Sequence, residues 1–330
     1  MALWTPALID TALWLDAADE ATLILISNLL AEWRDKSGHE RHPDNVTAAR
    51  RPAVSADGFN SGHRAVNFAG TEKFLELDGG FITDAFSVFL AHSGGAQNER
   101  VIDQRGTGSL GAVKGWQIKN YHTSSDVVTA DDGGGNYRGN REEGGTSAAR
   151  ITSTVFPEGG EINFYRNGTL YVDRANGGSV PTDVNNTGLK IRIGGNAAGG
   201  TTQDFTGLLA EVILCDYPVN AEERQKIEGY LAHKWGLAAS LPAEHPYKSA
   251  APAYGFFHGI ITDKDGNPAE RRITVLDATG QCVATDTSDP VTGAYSIAVP
   301  AESPYTLVFD GEPDRNAQVF ANVIPGEPPA

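Results

Sequence analysis

Basic residues are scarce in this sequence. Twenty-six Lys and Arg stand against 42 Asp and Glu, leaving a formal charge of −16. Such a surface repels a phosphate backbone, which argues against nucleic-acid binding. Polyanionic sugars and anionic membranes meet the same long-range repulsion unless a local basic patch or a cation intervenes. Sulfur is scarcer still, with two cysteines and one methionine. Cys215 and Cys282 fall in different expected domains, so no disulfide is expected between them, and synthesis in a reducing cytosol fits. Long apolar runs are missing as well. The longest, near Leu23 to Leu30, is interrupted by Ser27 and Asn28 and is too short to span a bilayer, so no membrane insertion is expected. The opening Met-Ala-Leu-Trp-Thr-Pro has no basic region followed by an apolar stretch. Asp10 and Asp16 come too early for a signal peptide, and retention inside a cell is the expectation.

Glycine is abundant, at 38 residues, and proline adds 17. Short apolar runs between such turn formers read as all-β, and 330 residues suit two domains better than one sandwich. Trp4, Trp14 and Trp33 sit in a mostly polar setting and are expected to plug a sandwich rim. The clearest hairpin is Glu161 to Asp173, turning at Asn167-Gly168, because a type I′ turn needs positive φ at both central residues. Its two faces are both apolar, so cover on each side is expected. One helix stands out: Asn220 and Glu223 form a capping box, and Ile227, Leu231 and Trp235 recur as one apolar stripe. It is expected to cap the sandwich. Residues 238–256 are rich in Ala and Pro and read as a semi-rigid linker. Beyond it, 257–330 holds short strands at the density of a small Ig-like or transthyretin-like sandwich.

Residues 1–237 resemble the laminin-G/concanavalin A-like jelly roll. The likeness rests on Ala65-Val-Asn-Phe-Ala-Gly with Phe74-Leu-Glu-Leu, on Phe164-Tyr-Arg-Asn-Gly-Thr-Leu, on Ile191-Arg-Ile-Gly-Gly, and above all on the stretch from Phe205 through Leu237. The ending Leu241-Pro-Ala-Glu-His-Pro-Tyr is similar to a subgroup common in bacteriophage virion proteins and bacterial surface proteins. The C-terminal part resembles carboxypeptidase-regulatory-like and other Ig-like domains, through Gly259-Ile-Ile-Thr-Asp, Gly266-Asn-Pro and Thr292-Gly-Ala-Tyr-Ser-Ile. The pair implies a non-enzymatic virion component, a head decoration or tail-associated protein. It implies capsid or tail proteins as partners, multiple copies or a homo-oligomer, and a location on the virion. The alternatives are a carbohydrate-binding module of a bacterial surface protein and, more distantly, a polysaccharide-cleaving enzyme.

Catalytic chemistry is thinly represented. Glu72, Glu76 and Asp78 share one parity, as the acids of jelly-roll glycosidases do, but Phe74 lies among them and Gly79-Gly80 ends the strand at once. A solvated strand face is the expected reading, and no catalytic residue is assigned. The eight histidines form no metal-ligand spacing, although His39 and His42 share a loop. Gly194-Gly-Asn-Ala-Ala-Gly-Gly lacks the Lys-Ser/Thr of a phosphate loop and is expected to be a hairpin loop. The one cofactor suggested is calcium. Asp131 and Asp132 with Asn136 offer hard oxygens on a Gly-rich loop, with Asp204 available from another, against the simpler reading of an acidic turn. Sugar binding needs aromatic faces beside amides on exposed loops. Trp116, Asn120, Tyr121, Asn136 and Tyr137 supply that chemistry, near His122, and are the candidate ligand residues. Core packing competes for each of the rings.

Overall fold

The computed structural model describes every residue except 1, 61, 71, 106–111, 123–124, 136, 142–146, 158–160, 172, 176–180, 182, 185–187, 198–202, 301–303, 312–317 and 326–330. The chain divides into two compact units, Thr5–Ala250 and Ala251–Ala330 with Met1–Trp4.

The larger unit is a two-layer β-sandwich with one α-helix. The first sheet has seven strands, in spatial order Asp173–Ala175, Tyr137–Arg141, Ser125–Asp131, Gly115–His122, Arg100–Asp103, Ile191–Ile193 and Leu75–Leu77. The second runs Thr169–Tyr171, Asn163–Arg166, Arg150–Phe156, Phe86–Gly94, Gly207–Cys215, His63–Asn67, Ala53–Phe59, Leu29–Trp33 and Leu23–Ile26. Gly207–Cys215 pairs with Leu13–Asp16 as well. Side chains alternate across each strand. Trp116 and Ile118 therefore face inward beside Val128 and Ala130 of the next strand, and share one core with Val88, Leu90, Val212 and Leu214 of the other sheet. Their neighbours Gln117 and Lys119 take the outer face of the first sheet.

The outer face of the second sheet carries Phe89, Ile213 and Glu211, and the helix Ala221–Lys234 covers it. The helix begins as the sequence specifies: the Asn220 side chain accepts the Glu223 N–H at 2.9 Å, and the Glu223 carboxylate accepts the Asn220 N–H at 3.1 Å. Ile227, Leu231 and Trp235 are buried. One buried carboxylate joins helix to sheet. Glu211 accepts the indole N–H of Trp14 and of Trp235, each at 2.6 Å, and the Tyr230 hydroxyl at 2.9 Å, with Lys234 Nζ at 2.8 Å. Burial raises its pKa, while Lys234 and the Trp14 indole pull it back.

The hairpin turns at Asn167 and Gly168 with φ of 47° and 78°, as expected. Its faces are covered unequally. Ile162 and Phe164 are buried in the core, whereas on the opposite face Arg224 lies 3.9 Å over the Tyr165 ring but its cross-strand partner Leu170 is 46% exposed. Trp4, Trp14 and Trp33 are all buried.

Residues 238–250, expected as a linker, belong to the larger unit. Leu241, His245 and Tyr247 are buried. Gly229 makes this possible, since a Cβ there would come within 2.5 Å of Tyr247 Cβ. The proline-rich composition thus produces turns that fold back on the helix, and the next strand starts at Ala253.

The smaller unit pairs a three-stranded sheet, Ala2–Leu3, Ala253–Ile260 and Ala294–Pro300, with a four-stranded one, Cys282–Thr287, Arg272–Leu276, Tyr305–Phe309 and Gln318–Val323. Phe257, Ile273, Val275, Ile297, Val299, Tyr305 and Leu307 form its core. Nothing local in the sequence announces that Ala2–Leu3 pairs with Ala253 and Tyr254. Cys215 is buried and Cys282 exposed, and both are free thiols. Among the described residues no helix is long and apolar enough to cross a membrane.

Candidate functional site

The outer face of the seven-stranded sheet is polar, and its charges are matched. Strand register sets Thr129, Gln117, Asp103, Arg192 and Glu76 in one cross-strand row. Gln117 donates to Thr129 Oγ1 at 2.7 Å, and Arg192 Nε donates to Glu76 at 2.9 Å. Asp103 pairs with Arg100 and accepts the N–H groups of Arg105 and Ala197 at 2.7 and 2.9 Å. Burial raises the Asp103 pKa against the pull of Arg100. Burial lowers that of Lys119, and nearby Arg100 and Arg105 push the same way.

This row ends at a pocket of about 350 Å³, lined by Glu40, Arg41, His42, Asp44, Glu76, Leu77, Asp78 and Lys190. Asp44 and Glu76 exchange both backbone hydrogen bonds, at 3.0 and 2.9 Å. Their side chains therefore leave the same face side by side. Arg192 neutralises Glu76 from the neighbouring strand. The loop that brings Arg41 and His42 to the pocket is fixed by Asp35, whose carboxylate accepts the N–H groups of Trp14, Ser37 and Arg41 at 2.9, 2.9 and 3.1 Å. His42 Nδ1 accepts the Asp35 N–H at 3.0 Å, which in the neutral ring leaves the proton on Nε2. Arg41 donates to the Ala12 carbonyl at 2.6 Å and stacks 4.0 Å from the Phe81 ring. The pocket is thus lined by both signs of charge, with Arg41, His42 and Glu76 held by hydrogen bonds and Glu40, Asp44, Asp78 and Lys190 exposed around them.

Of the ligand candidates read from the sequence, Trp116 and Asn120 lie outside this pocket. Trp116 is fully buried, donates to Gln104 Oε1 at 2.8 Å and packs against the stacked pair Phe86 and Phe156, at 5.0 and 6.1 Å. It is a core residue. Asn120, also buried, donates to the Gly94 carbonyl and accepts from Arg150, both at 3.0 Å. It steadies the buried Arg150–Asp126 pair, 2.6 Å long, and presents nothing to a ligand. Tyr121 and Tyr137 lie in strands, but their side chains are outside the described set, as is Asn136 altogether. Asp131 is buried, pairs with Arg105 at 3.1 Å and accepts the Gly133 N–H at 2.8 Å. Asp132 accepts the Gly134 N–H at 2.8 Å. Asp204 accepts the Glu72 N–H at 2.8 Å, and Glu72 pairs with Arg50 at 3.5 Å. With Arg105 already neutralising Asp131, these acids do not fit a calcium site. Among the described residues no group of three or more His, Cys, Asp or Glu is placed to hold a metal ion.

Of the acids singled out by parity, Glu76 and Asp78 reach the pocket, and His42 joins them. Asp44 and Lys190 were missed because they come from distant segments, and no local spacing signals their approach. The misplacement of Trp116 had a readable signal. Trp116 and Ile118 share the apolar parity of their strand, and Gln117 and Lys119 the polar one.

No family model matches the sequence, and no curated protein matches it. Solved structures are similar at the level of overall β-architecture. The binding domain of Paraclostridial Mosquitocidal Protein 1 aligns with TM-score 0.47 and 12% identity over 94% of this chain and 75% of that one. The receptor binding domain of botulinum neurotoxin type G aligns with TM-score 0.43 and 11% identity over 97% and 80%. The binding domain of botulinum neurotoxin serotype D gives 0.44 and 11% over 92% and 72%. At these values the chain is described by its own geometry: an all-β protein with one short helix, carrying a polar pocket at the end of a charged sheet face.

Proposed function

We propose that this chain is a non-enzymatic binding protein of a tailed-bacteriophage particle, in the head decoration or the tail, and that its larger sandwich recognises host-surface saccharides through the polar pocket. The pocket carries this reading. Sugar hydroxyls both donate and accept, so they suit a lining that holds Asp44, Asp78 and Glu40 together with Lys190, Arg41 and the Nε2–H of His42. Arg41 and His42 are already held by hydrogen bonds, so little of the ordering cost of binding falls on them. Affinity per pocket is weak on this reading, and many copies on one particle raise it through effective concentration. The particle assignment is supported by the pairing of the two domains and by the resemblance of 241–247 to a subgroup common in bacteriophage virion proteins and bacterial surface proteins, which is an argument from analogy.

The test is glycan binding by the full chain and by an Asp44→Asn, Lys190→Ala variant. The variant should bind at least about tenfold more weakly, equivalent to about 1.4 kcal/mol. Undiminished binding would remove the pocket from consideration. Particles should carry the chain in multiple copies; its recovery only from the soluble fraction would remove the virion assignment, and its export to the bacterial surface would favour the surface module. One observation favours a second reading: two carboxylates, Asp44 and Glu76, stand side by side in the pocket. A glycosidase could use such a pair. Release of new reducing ends, lost in Glu76→Gln, would establish that activity; Arg192 on Glu76 weighs against it.

A further inference from the structure

The smaller unit has sheets of unequal width, three strands against four. The register sets Phe320 opposite Leu307 and Gln318 opposite Phe309, so both point to the inner face of the sandwich. Yet Gln318 is exposed and Phe320 is 52% exposed, because the narrower sheet does not reach the edge strand. Facing them, Tyr295 pairs with Gly259 and lies over it, and a Cβ on Gly259 would come within 3.1 Å of the ring. The glycine therefore leaves room for the tyrosine ring to lie against its sheet. The result is an open seam, with cavities of about 470 and 320 Å³ that share Tyr295, Phe309 and Phe320 as walls. The three rings form a chain of edge-to-face contacts at 5.6 and 5.7 Å.

Polar groups border these rings. Among the described residues, the Tyr295 hydroxyl, the Gln318 amide and the Asp310 carboxylate have no hydrogen-bond partner within the chain. Residues 251–330 hold eleven acidic side chains and four basic ones, a net charge of −7. An apolar ligand would strand the polar groups; the lining itself is balanced, with Asp263 and Asp310 against Lys264 and Arg271, so it is the unit's overall negative charge that disfavours the approach of an acidic one. A ligand with an apolar face and a neutral, hydroxyl-rich edge satisfies both parts of the lining.

We propose that this seam is a second binding site, taking a pyranose ring of a neutral glycan flat against Phe320, with Tyr295, Gln318 and Asp310 hydrogen-bonding its hydroxyl edge. The site extends binding to the smaller unit and does not depend on the pocket of the larger one. Phe320 supplies the stacking face and Tyr295 the fixed hydroxyl.

The experiment uses the full chain carrying Asp44→Asn and Lys190→Ala, which cripples the larger pocket, titrated with neutral hexose and N-acetylhexosamine oligomers and with their sulfated counterparts. Neutral oligomers should still bind, and sulfated ones should bind less well. Adding Phe320→Ala should weaken neutral binding about tenfold or more, equivalent to about 1.4 kcal/mol. Tyr295→Phe, which keeps the ring over Gly259, should weaken it several-fold, and neither change should shift the melting temperature. Residual binding that tolerates Phe320→Ala and Tyr295→Phe overturns the proposal, and so does a peptide strand seated along Gln318–Val323 that both changes leave in place. Glycan binding by the parent chain that vanishes wholly with Asp44→Asn and Lys190→Ala overturns the seam and upholds the larger pocket. Binding that survives those two changes and is lost with Phe320→Ala upholds the seam and removes the larger pocket. A chain that binds no glycan in any form overturns both.

Discussion

The two units cover their sheets to different degrees. In the larger one, the strand Phe86–Gly94 is buried on both faces, by the facing sheet on one side and the helix on the other. Its interior holds large rings and matched charges: Trp33, Trp116 and Trp235 are fully buried, and Arg150–Asp126 and Arg105–Asp131 are buried ion pairs. The smaller unit has no helix among its described residues, and Ile260, Val291, Val319, Phe320 and Ile324 remain exposed. Its described ion pair, Lys264–Asp265, lies in solvent. The physical cause is size, because a chain of ~80 residues has too little material to bury most of its apolar surface. Where a sandwich stays open, its apolar rim becomes a binding resource.

The comparison can be broken most directly at Trp235. Trp235→Ala removes a fully buried ring that packs on Phe59 and donates to Glu211, and should destabilise the larger unit by about 3–5 kcal/mol. Calorimetry should show that unit's transition moving alone; an unmoved transition would refute the capping role of the helix. In the smaller unit, Ile273→Ala should cost about 2–3 kcal/mol, at the lower end of the usual range because open walls can relax. A loss as large as that for Trp235 would show the small core to be as tightly packed as the large one.

Acid should act first on the larger unit. Burial, aided by nearby Arg150, holds the His92 pKa at about 3 against an ordinary 6.5. Above pH 6.5 the ring is neutral in folded and unfolded chains alike, and contributes no pH dependence. Below that, the unfolded chain binds a proton that the folded chain excludes, so stability falls by about 1.4 kcal/mol per pH unit. The fall continues to about pH 3, where the folded ring also protonates. Denaturant midpoints measured across this window should flatten in His92→Asn, and an unchanged slope would remove His92 as the cause. Asn220→Ala, which breaks the capping box, should cost about 1 kcal/mol, read as a small drop in the same larger-unit transition. Phe320→Ala should change stability by no more than about 0.5 kcal/mol, as for an exposed side chain, and a larger loss would mean that the seam is closed in solution.

Legibility followed the range of the interactions. The capping box at Asn220 and Glu223 and the turn at Asn167-Gly168 were readable, because their chemistry is complete within a few residues. Trp116 is a ligand candidate in the sequence with core packing as its competitor, because tryptophan suits a sugar platform as well as a core, and only its burial decides between them. The linker reading of 238–256 differs from the structure over 238–250 for a related reason. Proline and alanine describe a stiff segment, but Gly229 makes room for Tyr247, and only the packed helix shows it. Lys190 and Asp44 could not be joined to Glu76 from sequence, since nothing nearby in the chain marks their meeting.

The sequence by itself determined the all-β class, the one capped helix, the negative charge and the turns, because propensity, periodicity and net charge are local or additive. Only the tertiary structure decided which face of each strand is solvated, that Arg105 pairs with Asp131, and that residues 2–3 pair with 253–254. Those outcomes depend on strand register and on contacts between segments far apart in the chain. A one-residue slip in register would turn every side chain of a strand to the opposite face.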